Sequence, residues 1–143
     1  MEFNPDKVRK ITFEMLASVE MLEELGRLPE DEFLSDRHKI ASAKYSFLVA
    51  IEGAIDLCNH IIAKNALRVP EDYADAFRVL AEKGAFGPEF TATLVQMARF
   101  RNRLVHIYWE VDNRELYGYL RDRLQDIREF LKKFGSFIET KKA

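Results

Sequence analysis

Cysteine is almost missing from this chain: Cys58 stands alone among 143 residues. Neither a disulfide framework nor a cysteine-based zinc site can form within one copy, a pattern that suits a reducing compartment. Glycine and proline are sparse as well, six and four residues, which favours long unbroken elements. The longest apolar run, Phe47 to Ile51, is far shorter than a membrane span or a signal-peptide core. No sign of charge dominates, since 22 basic and 24 acidic residues leave a net charge of −2. A protein that coats nucleic acid over its whole surface is thereby excluded, although a local basic patch remains open. The expectation is a cytoplasmic protein with no membrane partner.

What is present is ordinary for a globular chain, 48% hydrophobic and 32% charged, and residues 1–143 read as a single domain. At this length roughly two thirds of the unfolded surface can be buried without disulfide or metal support. Asn4 and Pro5 open a first helix whose apolar residues Val8, Ile11, Met15, Val19 and Leu22 recur at spacings of three and four until Gly26. Arg27 to Phe33, with Pro29 and an acidic run, reads as a loop. A long central helix follows from Ser35 or Asp36 to about Asn65, with Ile40, Ala43, Phe47, Ile51, Ala54, Ile55, Cys58 and Ile62 on one stripe. Pro70, Glu71 and Asp72 open a shorter helix ending at Gly84, and Gly87 and Pro88 start a fourth. The last begins at a capping box of Asp112 and Glu115 and carries a seam from Leu116 to Ile138, towards Lys141 and Lys142. No segment alternates with period two for long enough to demand a strand. The pattern predicts an all-α, antiparallel up-and-down bundle of four long helices and one short.

The chemically informative segment is Arg99-Phe100-Arg101-Asn102-Arg103-Leu104-Val105-His106-Ile107-Tyr108-Trp109. At about 100° per residue, Val105 and Tyr108 return close to Arg101 on the flank of the apolar stripe, so this arginine is directed at the packed side. Its guanidinium keeps its charge and needs an anion there, a carboxylate of the bundle or a phosphate of a ligand. His106 lies about 140° away on an ideal helix, beside Asn102 and Trp109. The two side chains converge only if the helix loosens near His106 or if a second subunit presents the same segment across a two-fold axis. Histidine can take and give a proton near neutral pH, and arginine forks onto phosphate oxygens, so the pair suits phosphodiester chemistry. Arg99, Arg101 and Arg103 also form a local basic strip on which Tyr108 and Trp109 can stack bases. The plainer alternative is a structural ion pair at Arg101 and a surface histidine at 106.

Glu52, Asp56 and His60 recur every four residues along the central helix. They read either as metal ligands or, more simply, as the carboxylates that answer Arg101. Cys58 falls on the apolar stripe and reads as a packed small hydrophobe. His38 is expected to be exposed, and Tyr45, Tyr73, Tyr117 and Tyr119 to be packing residues.

Arg101, His106 and Tyr108 spell R-x4-H-x-Y, with the polar Asn102 following the arginine. In this helical setting the chain resembles the HEPN superfamily and, within it, the HepT-like toxins of the MntA/HepT toxin–antitoxin type. The resemblance extends to Asp31-Glu32-Phe33-Leu34, to Ala50-Ile51-Glu52 and Ile55-Asp56, and to the segment from Val105 to Asp112. It implies a homodimeric, metal-independent endoribonuclease that needs no cofactor and is paired with a nucleotidyltransferase antitoxin. By the same resemblance, Arg101, His106 and Asn102 are catalytic residues of a composite site at the dimer interface, and Tyr108 accepts AMP from the partner. On this reading Arg99, Arg103 and Trp109 contact RNA, and Glu52 and Asp56 support the site. A second expectation is a non-catalytic accessory subunit that helps a nucleotidyltransferase bind its substrate, and a third is a purely structural helical dimer.

Overall fold

The computed structural model describes residues 1–140, so Lys141 and Lys142 lie outside the described residues. Seven α-helices and one 3₁₀ turn follow in order: α1 Pro5–Gly26, α2 Glu30–Leu34, α3 Arg37–Lys64, α4 Tyr73–Glu82, α5 Pro88–His106, the turn Tyr108–Glu110, α6 Asn113–Asp122 and α7 Leu124–Thr140. No strand occurs among the described residues.

The caps explain most of these boundaries. Asn4 accepts the N–H groups of Asp6 and Lys7 at 3.0 and 3.2 Å, and Asp36 accepts those of His38 and Lys39 at 2.9 and 3.3 Å. Each satisfies donors that the first helical turn leaves open. Those bonds, led by the Lys39 amide, hold the Asp36 carboxyl below its ordinary range.

Three expectations need correction. The 27–33 segment contains α2, because Pro29 pre-sets its start, Glu30, Asp31 and Glu32 complement its dipole, and Phe33 is fully buried. The short helix begins at Tyr73 rather than Pro70, because the Asp72 carboxylate captures the Asp75 N–H at 2.7 Å. The final helix is two helices meeting at Arg123, and Glu115 closes no capping box, since its carboxylate is spent on Arg103. Both α6 and α7 lie on α1 and α3, and the break lets each add neighbours of its own. The Tyr117 hydroxyl of α6 donates to the Leu28 carbonyl, whereas Phe130 of α7 packs between Phe77, Phe86 and Phe134.

All seven helices contribute to one apolar core, and α3 runs through it against α1, α4, α5 and α7. This helix is long and apolar enough to cross a membrane by composition, yet 67% of its most apolar window is buried inside the fold. Its hydropathy is that of a helix surrounded by protein. The start of α1 meets the end of α3, where Asn65 exchanges hydrogen bonds with the Glu2 backbone at 2.9 Å, so the two run antiparallel. They approach so closely that a Cβ on Gly53 would fall 2.4 Å from the Met15 side chain. Helices α3 and α5 pack together too, with Phe47 against Phe100 and Glu52 against Arg101. That second pairing positions the site.

His60 belongs to the first of these contacts. Its Nε2 accepts the Asn4 N–H at 2.9 Å, which requires the neutral ring. Burial, assisted by Lys7 and Lys64, holds its pKa below the usual histidine value of 6.5. The unfolded chain therefore binds the proton first, so His60 contributes full stability above pH 6.5 and loses it as pH falls towards the folded pKa. Urea midpoints compared at pH 7.5 and 5.5 are expected to fall on acidification, and by less in His60→Gln.

Candidate functional site

Arg101 lies in the last two turns of α5 on the side that meets α3, and its side chain is only 11% exposed. Its Nε and Nη2 donate to Oε1 of Glu52 at 3.1 and 2.9 Å, and its Nη1 donates to Oδ1 of Asn102 at 3.1 Å. The guanidinium also lies 4.4 Å from the ring centroid of Tyr73 at the start of α4. Three helices thus hold one arginine. Of its five N–H donors, two stay open for another acceptor.

His106 is the last residue of α5 and is exposed, and among the described residues it makes no hydrogen bond or ion pair. The helix does not loosen before it. Ile107, at φ −133° and ψ 47°, ends the helix and leads into the turn Tyr108–Glu110. Within one copy, Arg101 therefore faces α3 while His106 stands on another face of α5, about 7.5 Å further along the axis.

Tyr108 is 45% exposed, and the ammonium of Lys44 sits 4.0 Å from its ring centroid and 3.4 Å from its carbonyl oxygen. Lys44 is itself buried, 7% exposed, and burial pulls its pKa below the usual lysine value. This lysine ties the turn after His106 to α3. Sequence reasoning missed it, although the signal was present: Lys44 falls on the α3 stripe, four residues after Ile40 and three before Phe47. Trp109 is 78% exposed, and with Val105, Tyr108 and the nearby Tyr45 it leaves an apolar surface uncovered at this end.

The basic strip is less positive than its sequence. Arg103 donates twice to the Glu115 carboxylate, at 2.7 and 3.1 Å, and Glu52 answers Arg101. Each Arg103–Glu115 partner pushes the other's pKa away from neutrality through those bonds. Arg99 keeps its charge open, on an α4–α5 groove that it shares with Arg78 and Glu82. Asp56 does not reach Arg101. It stands exposed beside Glu52, with burial and then the Glu52 charge raising its pKa.

The metal alternative for the α3 ladder finds no support, because the His60 nitrogen is engaged by Asn4 and no group of three metal-ligating side chains occurs among the described residues. Cys58 is fully buried, which pushes its thiol pKa well up, and His38 is exposed. Tyr117 is buried and Tyr119 packs on Phe100 at 4.5 Å. Tyr45 and Tyr73, expected as packing residues, are 69% and 47% exposed. Tyr73 instead covers Arg101 and joins Asn59, Pro70, Asp72 and Asn102 around an open groove.

The chain is 29% identical over 80 residues to a Shewanella oneidensis protein named mRNA nuclease HepT, covering 56% of this chain and 60% of that one. It is 24% identical over 121 residues to a protein of Aphanizomenon flos-aquae named tRNA nuclease HepT, covering 83% and 81%. Among solved structures, a tri-AMPylated Shewanella oneidensis HEPN toxin in complex with MNT antitoxin superposes with a TM-score of 0.85 at 20% identity, covering 93% of this chain and 99% of that one. Residues 15–134 match the family model described as Ribonuclease HepT-like, a span that holds the whole of α3, α5 and the R-x4-H-x-Y segment. The chain belongs to the HepT-like ribonuclease family.

Proposed function

We propose that this chain is the ribonuclease toxin of a toxin–antitoxin system, working as a homodimer without a metal ion. The observation that carries this reading is the division of labour along α5. Arg101 is fixed by Glu52, Asn102 and Tyr73 with N–H donors to spare, while His106 is exposed and committed to nothing. One is a preorganised anion holder and the other a free acid–base group. Because they face different sides of one helix, a two-fold pairing that joins the ends of two α5 helices completes the site. The uncovered Tyr45, Val105 and Trp109 supply apolar surface for that pairing.

In this site the ribose 2′-oxygen attacks the adjacent phosphorus and the bond to the 5′-oxygen breaks. One His106 takes the 2′-hydroxyl proton, and the His106 of the second copy protonates the departing 5′-oxygen. Arg101 stabilises the phosphate as its charge rises, and Asn102 fixes the Arg101 fork from the side. The products are a 2′,3′-cyclic phosphate and a 5′-hydroxyl. Arg99 and Trp109 are the RNA contacts that remain available on the surface. Arg103, with its charge answered by Glu115, instead holds α6 to α5. Tyr108 is the acceptor of AMP from a nucleotidyltransferase antitoxin.

The test is incubation of the purified protein with RNA in excess chelator, followed by analysis of the ends. Cyclic phosphates are expected, at a rate the chelator does not change. A second reading, an accessory subunit of a nucleotidyltransferase, draws on the neutralisation of Arg101 and Arg103 by Glu52 and Glu115. A stable complex with the transferase and intact RNA would favour it.

A further inference from the structure

The segment between α3 and α4 looks like a loop in sequence, yet it is clamped. Arg68 donates to Asp75 at 2.7 and 3.2 Å and to Glu82 at 2.8 and 3.3 Å. Asp75, 6% exposed, also accepts the Glu71 N–H at 2.9 Å, and these bonds, led by Arg68, hold its carboxyl below the ordinary range. Charge-assisted bonds of this number fix the segment before any ligand arrives.

What the clamp presents is one wall of the groove beside Arg101. Pro70, Asp72 and Tyr73 form that wall, Asn59 of α3 and Asn102 of α5 complete the lining, and the opening measures about 410 Å³. That is the size range of small-ligand sites. Tyr73 belongs to the groove and to the Arg101 contact at once, so an occupant of the groove is a direct neighbour of whatever Arg101 binds.

We infer that this groove is a nucleobase subsite, which receives the base flanking the scissile phosphate and sets the sequence preference of cleavage. The inference rests on the nuclease reading above. The lining suits a base better than a second phosphate, because the Asp72 carboxylate repels a phosphate whereas amide groups and a carboxylate match the donors and acceptors of a base edge. Tyr73 and Pro70 supply the apolar and aromatic surface against which a planar ring rests. One Asp72 oxygen caps α4 by accepting from Asp75, and its remaining capacity is for accepting only. A carboxylate pairs best with two adjacent N–H donors. Guanine offers that pair, and uracil offers a single N–H between two carbonyls.

The test uses short DNA strands with one ribonucleotide, so that only one bond can be cut, and varies the bases on either side of it. Wild type is expected to cleave with guanine at one flanking position about tenfold faster than with uracil, the factor that a good bidentate base contact supports. Asp72→Asn keeps a competent helix cap and is expected to erase that preference, while Asn59→Ala is expected to weaken it through the opposite wall. Circular dichroism confirms that each variant is folded. Equal cleavage beside all four bases in wild type, or an unchanged preference in both folded variants, overturns the subsite alone. A wild-type protein that cuts no RNA of any kind overturns the nuclease reading and the subsite with it.

Discussion

Replacing His106 with alanine is expected to lower RNA cleavage by about 10²- to 10⁴-fold, the range that a positioned proton-transfer group supplies. The same change should leave the unfolding midpoint nearly unaltered, within about 0.5 kcal/mol. Both halves follow from its place in the fold. The imidazole is exposed, bonds to nothing among the described residues, and ends α5 where its removal opens no cavity. Its structural contribution is limited to a favourable charge at a helix C-terminus, a fraction of a kcal/mol when protonated. Arg101 would be a less clean target, since truncating it strips Glu52, Asn102 and Tyr73 of a shared partner and disturbs three helices together. Cleavage of a defined RNA under single-turnover conditions, beside a urea titration, separates the two outcomes. A His106→Ala protein that cuts as fast as wild type would remove histidine from the mechanism.

The parts of this molecule that were readable in the sequence are those governed by local pattern. Apolar spacing of three and four, with Asn4, Asp36 and Gly87-Pro88 at the starts, placed α1, α3 and α5 to within a residue or two. Local pattern also directed Arg101 at the packed side, where Glu52 meets it. The misses share a cause, which is that a distant partner decided the outcome. The seam from Leu116 to Ile138 looks continuous, yet α6 and α7 part at Arg123: both lie on α1 and α3, but α6 also packs on α2 while Phe130 of α7 reaches Phe77 and Phe86. Glu115 fits a capping box until Arg103 claims it from α5. Tyr73 reads as one more packing aromatic, and only the Arg68–Asp75 clamp, built from residues on two sides of it, carries it over Arg101. Lys44 differs, because a lysine on an apolar stripe was visible in the sequence and its use was not. Its partner, the turn of Tyr108, lies 64 residues away.

Incubation with the cognate nucleotidyltransferase and ATP is expected to add AMP to the wild-type protein in steps visible by intact mass, and Tyr108→Phe is expected to abolish the first addition. In the reaction the phenolic oxygen bonds to the α-phosphorus of ATP, the bond to the β-phosphate oxygen breaks, pyrophosphate leaves and the phenolic proton passes to a base or to water. Phenylalanine removes only the oxygen that this step needs. The ring remains for the Lys44 ammonium to rest on, and the Tyr108 carbonyl remains for it to donate to, so the turn that follows His106 keeps its place. A charged, bulky adduct two residues from His106 would repel and obstruct RNA phosphates. Cleavage by wild type should therefore fall when transferase and ATP are added, whereas cleavage by Tyr108→Phe should persist. Modification of the phenylalanine protein at the wild-type level would place the acceptor elsewhere, and the exposure of Tyr108 at the end of the site would then serve RNA or the second copy instead.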